Sequence, residues 1–141
     1  MKAVMKGASK LIVSRKEIDL SKTLLMGQAF RWIQVEPDVF RGVIGDQMFH
    51  LSQQNGLIEF QSYKNMELYD CKEAEDILKD YLGLNEKYEM SNDEHFKKIM
   101  SQTGSGIRLL KQNKVETLFA FICSSNNNIK VIVSSCVGSP L

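Results

Sequence analysis

The stretch AFRWIQVEPDVFRGVIGDQMFHLSQQNGLIEFQSY, residues 29–63, decides the fold class. Aromatic and branched residues alternate with polar ones in four segments, residues 29–35, 39–44, 47–52 and 57–63. This period of two is typical of antiparallel strands with one buried face. Turn residues separate the segments, namely Glu36-Pro37-Asp38, Gly45-Asp46 and Asn55-Gly56. Asn-Gly favours hairpin turns in which both central residues have positive φ, so the stretch predicts a four-stranded meander.

A strand and a helix are predicted before this meander. KLIVS, residues 10–14, has the composition of an edge strand. DLSKTLLM, residues 19–26, begins with the capping residue Asp19 and is followed by Gly27, at the position where a left-handed residue usually ends a helix. We therefore expect a short helix that stops at Gly27.

Helical patterns follow the meander. In CKEAEDILKDYLG, residues 71–83, the acids occupy the solvated face and the apolar residues share the other, namely Ile77, Leu78, Tyr81 and Leu82. Capping boxes at Ser91–Glu94 and Asn113–Glu116 predict two further helices. The first carries Phe96, Ile99 and Met100 on one side, and the second is expected to bury a stripe of Val115, Leu118, Phe119 and Ile122. Strands followed by helices indicate the α+β class.

Composition places the chain among globular proteins, with 43% hydrophobic and 25% charged residues and a net charge of +1. The charge is uneven: residues 1–35 hold seven Lys/Arg against two acids, residues 67–94 three against ten, and residues 95–141 six against one. Basic ends permit a polyanion-binding face without requiring one. No apolar stretch is long enough to span a bilayer, so we expect no membrane partner.

Three cysteines at unrelated spacings support neither a disulfide framework nor a zinc site, and they indicate a reducing compartment, cytosol or nucleus. The basic first residues are also compatible with an organelle transit peptide, although the strand pattern of KLIVS is the favoured interpretation.

Residues typical of catalysis are sparse. His50 and His95 lack the neighbours of a metal site, and Cys123 on an apolar helix face is expected to be a buried small side chain rather than a nucleophile. Gly104 and Gly106 could hold a phosphate beside Arg108, but an interhelical turn is favoured. We expect no metal site and no cofactor.

A dense polar segment, SSNNN at residues 124–128, follows the last apolar helix pattern. One interpretation is that Ser and Asn side chains cap free backbone amides where one helix ends and the next begins. The other is that the asparagine amides replace base-pair hydrogen bonds where a nucleotide has left a duplex.

Three segments resemble the 8-oxoguanine DNA glycosylase family, eukaryotic type: MGQAFRW at 26–32, GIRLLKQ at 106–112 and ETLFAFICSSNNNI at 116–129. The resemblance covers residues 12–129 and implies a twisted antiparallel β-sheet domain (TBP-like) with packed helices. The first helices of a truncated helix-hairpin-helix domain follow. We accordingly expect a sheet domain at residues 1–105, the start of the helical domain at 106–130 and a divergent tail at 131–141.

The resemblance also implies site residues. Gly27 matches the glycine whose carbonyl recognises 8-oxoguanine, and Asn126 matches the asparagine that fills the gap opposite the estranged cytosine. Asn127 is grouped with it as DNA-binding, and with Asn128 it is expected to support this wedge. Val131 stands where the family has a cytosine-reading arginine. No residue is assigned as catalytic, because the family's lysine and aspartate lie on a later segment.

The expected function is therefore that of a truncated 8-oxoguanine DNA glycosylase/AP lyase of base-excision repair, inactive alone. Its expected partner is damaged double-stranded DNA, bound weakly. The alternative is a non-catalytic DNA- or protein-binding module, with self-association through an exposed core surface, or an unstable fragment. The family implies a nuclear location, with the mitochondrion as the alternative.

Overall fold

A computed structural model describes residues 8–65, 67–68, 71–89, 91–104 and 106–125. The strands are β1 (Ser9–Ile12), β2 (Trp32–Glu36), β3 (Val39–Ile44), β4 (Gln47–Gln54), β5 (Leu57–Lys64) and β6 (Glu67–Leu68). The helices are α1 (Leu20–Leu25), α2 (Cys71–Tyr81), α3 (Glu94–Ile99) and α4 (Lys114–Ser124), with a π-helical turn at Met100–Gly104.

The strands form one antiparallel sheet in the order β1-β5-β4-β3-β2. β6 pairs with Tyr63 and Lys64 at the end of β5, past the residues that pair with β1. The predicted meander is confirmed: β3 pairs with β4 from Val39↔Ser52 to Ile44↔Gln47, and β4 continues into β5. The turn between β4 and β5 has positive φ at both Asn55 and Gly56, as the Asn-Gly pair predicts. β1 lies at the edge of the sheet, as expected.

One core joins the sheet to α1 and α2. Side chains that alternate along the central strands are fully or almost fully buried, among them Phe40, Phe49, Leu51 and Phe60. They pack with Leu20 and Leu24 of α1 and with Leu78 and Leu82 at the end of α2. Three of the four residues predicted to form the apolar face of α2 are buried, and Ile77 is partly buried. This packing confirms the α+β class.

Some predicted boundaries were wrong. β2 begins at Trp32 rather than at residue 29, and the short strand β6 was not predicted. α3 is capped by Asp93, whose carboxylate accepts the Phe96 amide, whereas Ser91 only accepts the Asp93 amide. A carboxylate two residues closer to the apolar run displaces the serine as the cap. The caps Asp19 and Asn113 are confirmed.

The predicted burial of the α4 stripe was wrong. Within the described residues its members are 55–62% exposed: Val115 61%, Leu118 57%, Phe119 62% and Ile122 55%. Cys123 is exposed too, rather than buried. The periodicity was correct, but a pattern does not specify what covers a helix face.

Residues 106–112 form an extended segment, here called the strap, between the π-helical turn and α4. The Gly106 carbonyl accepts the Asp19 amide at 2.7 Å and the Thr23 hydroxyl at 3.1 Å. The Lys111 amide donates to the Tyr81 carbonyl at 2.9 Å. The expected interhelical turn is therefore an extended connection tied to both α1 and α2.

Candidate functional site

The loop after α1 presents Gly27 to solvent. Gly27 has a φ of +88°, and no atom lies within 4 Å of the position that a Cβ would occupy. Met26 beside it is 73% exposed. A residue without a side chain in this conformation leaves its backbone open to close approach by a ligand.

Gln28 ties this loop to the strap. Its amide nitrogen donates to the Arg108 carbonyl at 2.8 Å, and its amide oxygen accepts the Leu110 amide at 3.1 Å. Its own carbonyl accepts Gln112 Nε2 at 2.5 Å. Three hydrogen bonds therefore hold the residue next to Gly27, and all of them reach a segment about 80 residues away in sequence.

Arg108 anchors the middle of the strap. Its guanidinium donates to the carbonyls of Gly83, Glu86 and Glu17 and to the Glu17 carboxylate. It also lies over the Tyr88 ring, 5.0 Å from the ring centroid. The residue is only 6% exposed. The guanidinium uses its donors within the protein, so these contacts do not support phosphate binding by Arg108.

A second connection joins the loop region to α4. Arg31 Nη1 lies 3.1 Å from Glu116 Oε2, with both side chains about one-third exposed. Glu116 lies in the first turn of α4, which Asn113 caps by accepting the amides of Val115 and Glu116. The Gly27 loop and α4 are thus linked through the strap and through this ion pair.

The polar end of α4 is described only as far as Ser125. The hydroxyls of Ser124 and Ser125 donate to the carbonyls three residues earlier, Phe121 and Ile122. These bonds satisfy carbonyls at the C-terminal end of the helix. Asn126 and Asn127, together with Asn128 and Val131, lie outside the described residues.

The pKa values of Asp19 and His50 are shifted by their surroundings. Burial raises the pKa of Asp19, but hydrogen bonds from the Ser21 hydroxyl and the Lys22 amide, with Arg15 nearby, outweigh it and lower the pKa below its ordinary value. Burial, followed by the charge of Arg41, lowers the pKa of His50, so the neutral imidazole is favoured. His95 is exposed.

Within the described ranges, no group of three or more His, Cys, Asp or Glu residues could hold a metal ion. The helices in this part of the chain are also too short or too polar to cross a membrane.

This fold is that of the N-terminal domains of 8-oxoguanine DNA glycosylases. The structure superposes on that of "MBOgg1 in complex with low affinity DNA ligand" with a TM-score of 0.70 and 28% identity, over 86% of this chain and 41% of the other. The chain belongs to the family described as 8-oxoguanine DNA glycosylase, N-terminal domain, whose model matches residues 10–118. The resemblance seen in the sequence is confirmed.

Two curated relatives agree with this assignment. The N-glycosylase/DNA lyase of Saccharomyces cerevisiae is 32% identical over 90% of this chain, and N-glycosylase/DNA lyase OGG1 of Arabidopsis thaliana is 33% identical over 84%. The chain spans only 37% and 34% of the length of these proteins. The match therefore concerns the N-terminal family domain.

The recognition role of Gly27 stays a prediction, and the residues that hold its loop in place were not predicted. Gln28 and Arg108 lie in MGQAFRW and GIRLLKQ, two of the three segments that carry the resemblance. The available signal was that both segments occur in one chain and match the same family. The structure explains why they occur together, because Gln28 in the first segment forms hydrogen bonds with the second.

Proposed function

We propose that this chain is the lesion-recognition portion of an 8-oxoguanine DNA glycosylase/AP lyase of base-excision repair and that it binds damaged duplex DNA through Gly27. The observation that carries the proposal is an exposed glycine backbone, with a φ of +88° and open space around it, next to a residue held by three hydrogen bonds. Fixed backbone groups of this kind discriminate ligands by hydrogen-bond complementarity.

The chemistry of the base explains the choice of a carbonyl. N7 of guanine is an acceptor and repels a carbonyl oxygen, whereas N7 of 8-oxoguanine carries a hydrogen that the Gly27 carbonyl accepts. A pocket built on this one contact rejects guanine because the carbonyl would be left without a donor.

Asn126 and Asn127 have the complementary role in the proposal. An extruded base leaves an unpaired cytosine, and asparagine amides supply both donors and acceptors for it. Asn126 fills the gap and Asn127 supports it. Nuclear localisation, with the mitochondrion as the alternative, is part of the same proposal because the substrate is genomic DNA.

We propose further that these 141 residues bind without cutting. Incubation with duplex DNA containing 8-oxoguanine opposite cytosine is expected to give neither released base nor a borohydride-trapped adduct, since covalent catalysis needs a positioned amine. Release at a rate typical of an enzyme, measured on a denaturing gel, would overturn this part of the proposal.

Binding tests the recognition role directly. Fluorescence anisotropy with labelled duplexes is expected to show tighter binding of 8-oxoguanine:cytosine than of guanine:cytosine DNA, with both affinities falling as salt rises. Gly27→Ala is expected to remove the preference, because a methyl group occupies the open space. Gly45→Ala is the matched control, since Gly45 also has positive φ (+60°) and no neighbour within 4 Å. Equal preference in wild type and Gly27→Ala would contradict the role of Gly27.

A second candidate function has its own observation. The exposed stripe of α4 favours self-association or binding of a protein partner by apolar contact. Salt separates the two candidates: association with DNA weakens steeply as salt rises, whereas apolar association does not.

A further inference from the structure

We infer that Gln28 is the positioning residue of the recognition site and that the preference for a damaged base depends on its bonds to the strap. The inference rests on the proposed role of Gly27 and adds a residue that acts through it. Gln28 follows Gly27 directly, so the rotation of its backbone determines where the neighbouring peptide group points.

The contacts of Gln28 fix both its side chain and its main chain. The side-chain amide bonds to the Arg108 carbonyl and the Leu110 amide of the strap, while Gln112 Nε2 donates to the Gln28 carbonyl. A glutamine that uses donor, acceptor and carbonyl together has one available orientation. The loop after α1 therefore cannot rotate without breaking several bonds at once.

The strap in turn cannot shift easily. Gly106 approaches the turn before α1 so closely that a Cβ there would lie 2.6 Å from the Arg15 carbonyl. Arg108 donates hydrogen bonds to the carbonyls of Glu17 and Glu86. The strap continues into Asn113, the cap of α4. Gln28 thus fixes the loop that carries Gly27 relative to the strap. Because the strap leads into α4, the same bonds fix this loop relative to α4.

The test uses Gln28→Met in the full chain, which keeps the length of the side chain and removes its amide hydrogen bonds, two to the strap and a long one, at 3.5 Å, to the Thr23 carbonyl. Affinities for 8-oxoguanine:cytosine and guanine:cytosine duplexes are measured by anisotropy at neutral pH. We expect the ratio of the two affinities to fall by about tenfold, the equivalent of a misplaced hydrogen bond in the complex. The affinity for undamaged DNA is expected to change less than about twofold, because phosphate contacts dominate it.

Gln53→Met is the matched control. Gln53 is also a glutamine with two backbone hydrogen bonds, from Leu20 N to its Oε1 and from its Nε2 to Ile18 O, but it holds the start of α1. If both variants lose the same preference, loss of stability explains the effect and the inference is overturned.

A milder variant covers the case in which Gln28→Met does not fold, and a second measurement on the folded variant tests the hydrogen bond itself. Gln112→Leu removes only the donor to the Gln28 carbonyl and is expected to reduce the preference by about threefold. Hydrogen exchange of the Leu110 amide reports the bond itself and is expected to accelerate about tenfold in Gln28→Met, with the amides of β4 unaffected. Unchanged Leu110 exchange overturns the inference.

The outcomes distinguish the two proposals. If wild type shows no preference for the damaged duplex, the proposed function fails and the inference fails with it. If wild type shows the preference and Gln28→Met and Gln112→Leu keep it in full, only the inference fails.

Discussion

Trp32 and Tyr81 connect the sheet to α2 through a polar contact inside an apolar core. The Trp32 indole N–H donates to the Tyr81 hydroxyl at 2.9 Å, and the ring centroids lie 6.1 Å apart. Both residues are almost fully buried. A buried aromatic pair with its polar atoms satisfied contributes packing without the cost of an unpaired donor.

Burial raises the pKa of Tyr81 from 10.0 to about 12, although the hydrogen bond from Trp32 partly opposes the shift. The unfolded chain ionises this phenol near its ordinary pKa, while the folded chain keeps it protonated. The contribution of the protonated Tyr81 phenol to the free energy of unfolding is therefore complete below pH 10. It is lost as the pH rises from 10 towards 12, and the loss is about 3 kcal/mol.

Ultraviolet titration of the phenolate should show a tyrosine that ionises late, and Tyr81→Phe should abolish that phase. Urea unfolding of wild type and Tyr81→Phe across the same pH range should show a stability difference that shrinks as the pH rises. A difference that stays constant from pH 9 to pH 12 would contradict the assignment.

Position 42 requires glycine because of the neighbouring Trp32 side chain and not because of its backbone conformation. A Cβ built on Gly42 would overlap the Trp32 indole ring, which lies directly opposite in the β2–β3 pair. Gly42→Ala is expected to lower the free energy of unfolding by about 2–3 kcal/mol, because a closely packed core resists added volume.

A double-mutant cycle with Trp32→Phe tests the cause. The smaller ring makes room for the new methyl group, so the two substitutions should be coupled by about 1–2 kcal/mol in chemical denaturation. Strictly additive losses would show that Trp32 is not the residue that excludes a side chain at position 42.

At the scale of elements, the strap connects α1, the loop after α1 and α2 by hydrogen bonds. It forms these bonds, the last of them to the final turn of α2, without belonging to any helix or sheet. Arg108 provides its strongest anchor because one guanidinium donates to three carbonyls, of which that of Gly83 is buried.

Arg108→Met is therefore expected to cost about 3 kcal/mol of unfolding free energy, since the carbonyls of Glu17 and Glu86 lose their guanidinium donor and that of Gly83 loses one of its two donors. Arg108→Lys should recover less than half of the loss, because an ammonium cannot reproduce the fork geometry. Arg15→Met serves as the control: its ion pair with Asp38 is roughly half exposed, and its loss should cost less than about 1 kcal/mol. Similar losses for Arg108→Met and Arg15→Met would contradict the anchoring role.

The elements predicted correctly are those whose causes are local. The Asn55-Gly56 turn, the Asp19 cap and the apolar face of α2 each depend on residues within a few positions, so periodicity and turn chemistry are sufficient. The strap depends on side chains that meet backbone groups about 80 residues away, and such contacts leave no period in the sequence. Gly27 was therefore predicted correctly as a helix end and its role as a site stays a prediction, whereas the glutamine that holds its loop was not predicted.

At the scale of the whole molecule, the sheet and the last described helix differ in how well they are covered. The sheet, α1 and α2 enclose a continuous core, while the apolar face of α4 lies at the surface within the described residues. Four apolar side chains at positions 115, 118, 119 and 122 form one stripe on this helix. A stripe of this kind is the expected site of association with another apolar surface.

Leu118→Glu is expected to weaken self-association, because it places a charge in the centre of the stripe. Removing the burial of one leucine forfeits about 2 kcal/mol, which raises the dissociation constant at least about 30-fold. Thr117→Glu is the matched control: it introduces the same charge one residue earlier, on the exposed opposite side of the helix.

Sedimentation velocity over a range of concentrations, at low and at high salt, measures both variants against wild type. Wild type should associate at either salt concentration, Thr117→Glu should behave like it, and Leu118→Glu should remain monomeric. A wild-type chain that is monomeric at all concentrations, or a Thr117→Glu chain as impaired as Leu118→Glu, would show that the stripe is not an association surface.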